Sequence, residues 1–173
     1  MTQAYLEAQN IHKAAIANNS LGSLTKLYEC DFNLWVEATA QLLRDGRLTE
    51  LDMVNLLEEV ETMGRSDKLA LSSNLVVVLL HLLKWQYQPN KRTRSWEKSI
   101  AEHRRRIDEC FETSPSLKNH YLQIFDKCYL NARKQAKIET RLLLEDFPEI
   151  CPFTTEQVLD EDFLPELGDR KNS

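Results

Sequence analysis

The sequence predicts an all-α fold, a helical bundle of about five main helices with a short C-terminal helical strap. Three observations predict it. Glycine and proline number only 4 and 5 in 173 residues, too few for the many turns of a β-sandwich. Segment after segment repeats apolar residues at three- and four-residue spacing. Polar caps and Gly or Pro breakers stand at the ends of those segments. A length of 173 residues fits one domain of roughly 100–200 residues. That domain is placed at 27–165, after an N-terminal arm, 1–26, with room for one weak helix, and before a tail, 166–173, that should fray.

The arm carries a weak pattern from Gln3 to Ala17 and then a loose joint, Asn18 to Ser23. Asp31 reads as an N-cap for a helix bearing Phe32, Leu34, Trp35, Ala38, Leu42 and Leu43, which stops at Asp45-Gly46. Thr49 and Asp52 resemble a capping box opening a second helix, with Leu51, Met53, Val54, Leu56, Leu57, Val60 and Met63 as core positions and Gly64 as its stop. A third helix runs from after Ser66 to Tyr87. It is apolar nearly all round in its middle, as a central bundle helix should be. Ser95 is the expected cap of a fourth helix with Trp96, Ile100, His103, Ile107, Cys110 and Phe111 on one face. Ser116 caps a fifth, reaching about Thr140. Phe147 to Pro152 reads as extended, and a Thr154–Gln157 capping box starts a short turn, Glu156 to Asp160. The second to fifth helices should form the core, with the first packed on them and the tail strapped outside.

Several function classes are disfavoured. The apolar run Leu75–Leu80 is far shorter than the roughly 18 residues of a membrane span, so no membrane contact is expected. Residues Met1–Asn19 lack the blocks of a secretory signal, which makes the cytoplasm the expected compartment. Cys30, Cys110, Cys128 and Cys151 are too scattered for a zinc site or a disulfide framework. No P-loop, dinucleotide fingerprint, His-Glu-x-x-His or Gly-x-Ser-x-Gly motif is present. The net charge is −5, yet the segment from Lys84 to Arg106 holds eight Lys or Arg against two Glu, a local +6.

A set of residues points to a family. It comprises Leu27-Tyr28, Asp31-Phe32, Trp35, Leu42-Leu43-Arg44-Asp45-Gly46-Arg47, Leu51-Asp52, Asn55-Leu56, Glu58-Glu59-Val60-Glu61 and Met63-Gly64. It continues with His81-Leu82-Leu83-Lys84-Trp85-Gln86-Tyr87-Gln88-Pro89, Arg94-Ser95-Trp96, Pro115-Ser116-Leu117, Phe147-Pro148, Cys151-Pro152 and Asp160 to Pro165. Together they resemble the bacterial family called domain of unknown function 29, over about residues 27–165. The resemblance implies an all-helical fold and supplies no activity, so no catalytic residue is carried over.

Two constellations could carry chemistry. Glu37, Glu58, Glu61 and His81, with Lys84 and Arg94 nearby, resemble the inward-facing Glu and His of di-metal carboxylate bundles. Those sites use Glu-x-x-His pairs, and here Val78 precedes His81 and Ile100 precedes His103, so no metal and no cofactor is expected. His81 then reads as a neutral core histidine bonded to a Glu or a backbone carbonyl. The second constellation is the basic elbow. Lys91, Arg92, Arg94, Arg104, Arg105 and Arg106 alternate with Trp85, Tyr87 and Trp96 as a phosphate or nucleic-acid surface would require, or else form a packed corner with a solvated face. The favoured function is a non-enzymatic interaction or regulatory module with a protein partner. An enzyme or metal protein using the Glu/His cluster, and a nucleic-acid binder using the elbow, are the alternatives.

Overall fold

A computed structural model describes residues 21–166. The expected helix over Gln3–Ala17 and the terminal residues from 167 onward lie outside the described residues. The described chain is an all-α bundle of six α-helices and three 3-10 turns, with no strand among the described residues. The helices are α1 Leu21–Cys30, α2 Phe32–Arg44, α3 Met53–Tyr87, α4 Arg94–Thr113, α5 Leu117–Thr140 and α6 Thr155–Leu159. The chain divides into two compact units, Met1–Gly64 and Arg65–Ser173.

In the first unit α1 occupies residues that the sequence presents as a joint. Gly22 and Ser23 are helical because Leu24 and Leu27 bury into a core with Trp35, Ala38, Leu42 and Leu51. That burial outweighs the roughly 1 kcal/mol penalty of a helical glycine. Asp31 caps α2 as expected, its carboxylate accepting from the Leu34 amide at 3.1 Å. Gly46, at φ 69°, ends α2 in a Schellman arrangement, with Gly46 N–H to Leu43 O and Arg47 N–H to Leu42 O.

Two boundaries differ from expectation around α3. Thr49 lies in a 3-10 turn, and the cap is Asp52 alone, which accepts from the Asn55 amide at 3.3 Å, the Asn55 side chain at 2.7 Å and Thr25 Oγ1 at 2.8 Å. Gly64 does not stop the helix. A C-terminal glycine stop uses positive φ, which Gly64 does not adopt, and one helix runs on to Tyr87.

The second unit is built on Leu71, Leu75, Val78, Leu79, Leu82 and Leu83 of α3. They pack with Ile100, Ile107 and Phe111 of α4 and with Tyr121, Phe125, Tyr129, Ala132 and Ala136 of α5. By length and composition alone α3 could cross a membrane, but its apolar run is the centre of this core. Thr93, not Ser95, stands at the N-cap of α4, and no side chain bonds its first amides. Ser116 holds the N-cap place of α5, also without a side-chain bond. The tail docks as expected. Phe147, Phe153 and Val158 are buried, and the Thr154–Gln157 capping box forms in both directions.

Candidate functional site

The polar residues singled out in the second unit fall mostly into its packing. His81 is half-buried on α3, and its Nδ1–H donates to the carbonyl of Val77, 2.9 Å away and one turn back. Lys84 is buried, with Nζ 2.6 Å from Glu139 of α5 and 4.6 Å from the centre of the Trp96 ring. A carboxylate and a π-face thus compensate an ammonium withdrawn from water. Arg92 donates from Nε to the Trp85 carbonyl at 2.9 Å and lies 4.9 Å over the Trp85 ring. Lys91 and Arg94 are exposed. The elbow is a corner bound by cations on tryptophans.

The triplet Arg104, Arg105 and Arg106 splits. Arg105 and Arg106 both bond Glu102, Arg106 at 2.8 Å, and Arg105 also pairs with Glu109. Hydrogen bonds from Arg105 and then Arg106 hold the Glu102 carboxyl down at about 2. Arg104, expected among the phosphate contacts, is 1% exposed. Its guanidinium donates to the carbonyls of Val158 (2.8 Å), Phe163 (3.0 Å), Gln157 (3.2 Å) and Glu161 (3.3 Å). It is a clamp on the tail and cannot reach a phosphate in solvent.

A histidine that sequence reasoning placed only on a helix face has a partner as well: His103 Nδ1–H donates to Asn74 Oδ1 at 2.7 Å. Burial holds both His81 and His103 below the ordinary imidazole value. Between those folded values and the unfolded one of about 6.5 the unfolded chain binds more protons, so these two groups lose the protein stability as pH falls through that window. The acid-induced drop in denaturation midpoint between pH 7.5 and 5.5 is therefore expected to be larger for wild type than for His81→Gln/His103→Gln. An equal or smaller drop in wild type would show that neither ring is held neutral. The thiols are no better placed for nucleophilic work, because burial pushes Cys128 up and Cys151 up to about 11.

In the first unit Glu37, Glu58 and Glu61 are all exposed. Their neighbour Glu59 turns the other way, accepting from Tyr28 OH at 2.7 Å and pushing that phenol up to about 12. Among the described residues no group of three or more His, Cys, Asp or Glu is arranged to hold a metal ion.

The same unit shows what sequence reasoning missed. Met53, Val54, Leu57, Val60 and Met63, expected in the core, stand 57–78% exposed. At 100° per residue they fall within one half of the first three turns of α3, which also holds exposed Glu61, while Asp52, Asn55 and Glu59 on the opposite side bind within the unit and Leu56, near one edge of the arc, is half-buried against its core. Phe32, Val36 and Leu43 form a second exposed row along α2 at i, i+4 and i+11, and Leu48 is exposed in the turn between. The signal was present in the excess. Apolar residues ring α3 from Met53 to Met63 on more sides than two short helices can cover.

A family model described as "Domain of unknown function DUF29" matches residues 27–164. The chain belongs to the DUF29 family. No curated protein and no solved structure matches it. The DUF29 match takes in α2, the exposed turns of α3 and the Arg104 clamp alike, so both features lie within the family's domain.

Proposed function

We propose that this DUF29 chain is a non-enzymatic interaction module whose working surface is the outward apolar face of its first unit. One observation carries the reading: nine large apolar side chains between Phe32 and Met63 are 43–78% exposed within one small helical unit. Apolar patches beyond a few hundred Å² on a soluble domain mark contact with another macromolecule. Charge favours protein over nucleic acid as that partner. From Leu21 to Gly64 there are three Lys or Arg against nine Asp or Glu, a net of −6, which repels a phosphate backbone. The cations of the elbow support the alternative less, because Lys84, Arg92, Arg104, Arg105 and Arg106 are already engaged by carboxylates, rings and carbonyls.

Leu57→Glu/Val60→Glu tests this. Both positions are exposed, so the double variant should melt within a degree or two of wild type. Tagged wild type and variant are used as bait in native extract, and the retained proteins are quantified. The expected result is a defined set retained by wild type and depleted at least about tenfold with the variant. Identical sets, or none in either, would remove this face as the working surface.

A further inference from the structure

We propose that the groove between α4, α5 and α6 binds an arginine-bearing segment of a protein partner, with apolar groups of the segment on Phe111, Tyr121, Leu122 and Leu159 and the guanidinium among Asp108, Glu112 and Glu161. The site lies wholly within the second unit and is separate from the α3 face, so neither reading depends on the other.

The shape is that of a docking groove. A cleft of about 320 Å³ is lined by buried Phe111 and Tyr121 and by the more exposed Leu122 and Leu159, a volume within the roughly 300–1,000 Å³ of ligand sites. A second cleft, of about 550 Å³, shares Asp108, Phe111 and Lys118 with the first and adds Glu112 and Glu161. Joined, they form one open groove, apolar at one end and charged at the other, which suits an extended segment better than an enclosed small molecule. The surroundings are fixed in the free chain. The Phe111 and Tyr121 rings meet edge-on with centroids 5.8 Å apart. Tyr121 OH donates to the Thr155 carbonyl at 2.8 Å, and Arg104 donates to the carbonyls of Val158 and Glu161. A preformed groove removes the cost of ordering it on binding.

Charge selects the occupant. Asp108, Glu112, Glu156 and Glu161 stand along the groove against Lys118 and the buried Arg104, a net of −2. Among the described residues the Asp108, Glu112 and Glu161 carboxylates accept no hydrogen bond and join no ion pair, whereas Glu102 and Glu109 of α4 are both taken by Arg105. Burial, and then the Glu161 and Glu112 carboxylates, push the Asp108 carboxyl up, over the opposing pull of Lys118 and Arg104. Glu112 also lies in the last turn of α4, where the helix dipole favours a cation and the helix has none. These charges work against the fold of the lone chain, and a cation brought by a partner compensates them. Arginine fits better than lysine, because its weakly hydrated guanidinium tolerates a half-buried place and its five donors can serve more than one carboxylate.

NMR titration of the full chain with acetyl-Leu-Arg-Leu-amide, up to about 10 mM, tests the proposal against the same peptide carrying citrulline, which keeps the shape of arginine without its charge. Expected are amide shifts concentrated in residues 108–122 and 155–161, and binding at least about tenfold tighter for the arginine peptide, as the loss of a charge-assisted hydrogen bond implies. Asp108→Asn should weaken the arginine peptide by a similar factor and yet melt no lower than wild type, because it removes a repelled carboxylate. An Asp108 that served only the fold would give a lower melt. Leu122→Ser, at an exposed position, should weaken both peptides several-fold with an unchanged melt. Equal binding of the two peptides, no shift in the groove at the highest concentration, a lower-melting Asp108→Asn, or variants that bind as wild type does would each overturn the proposal. None of these outcomes bears on the α3 face, whose variant is read separately in extract.

Discussion

Arg104→Ala is expected to cost on the order of 3 kcal/mol or more, a fall of roughly 6–12 °C in melting temperature. The substitution should also open the tail to proteases. The physical reason is the number of groups served by one side chain. Four backbone carbonyls, from Gln157 to Phe163, accept from a single buried guanidinium, and its removal strands them away from water. Arg104→Lys should rescue little, because an ammonium cannot span four acceptors set for a planar fork. Limited proteolysis gives the specific readout. Cleavage within Asp160–Leu164 should appear in both variants and be absent from wild type, and a protected tail in Arg104→Ala would contradict the clamp.

Phe147→Ala should cost about 3–5 kcal/mol, the range for emptying a buried aromatic site. Phe147 is 1% exposed and meets the Tyr87 ring edge-on, with centroids 5.1 Å apart. Its carbonyl is held by Arg133 Nη2 at 2.9 Å and Nε at 3.1 Å, and the next carbonyl, of Pro148, by Tyr129 OH at 2.6 Å. These bonds fix the backbone, so the site cannot collapse to fill the cavity. Phe147→Leu should cost less than about 1.5 kcal/mol. Denaturant titration of the three proteins measures both figures, and an alanine variant as stable as the leucine one would mean that the ring does not anchor the tail.

Signals local in sequence were legible. The Asp31 cap, the Gly46 stop and the Thr154–Gln157 box each involve residues within five positions, and each stands where it was read. Misreadings arose where burial decided. α1 forms through Gly22 because Leu24 and Leu27 have a core to enter, and Gly64 continues a helix that it was expected to end.

The site was legible only in part, for two reasons. Three successive arginines look alike as letters, yet only Arg104 follows Ile100 by four and precedes Ile107 by three, which aims it inward. That spacing was the available clue. The exposed face of α3 is harder to read, because an apolar row looks the same whether its own chain or another chain covers it. Exposure in the folded unit separates the two cases, and periodicity cannot.

Two methionines, Met53 and Met63, lie at opposite ends of that face and are 58% and 68% exposed. Hydroxyl-radical footprinting of their oxidation therefore reads its coverage at both ends in one measurement. Oxidation should be several-fold slower at both positions in native extract than in the purified chain diluted below about 1 μM. Equal rates in the two settings would mean that nothing covers the face where the protein works, and would contradict its role as the interaction surface.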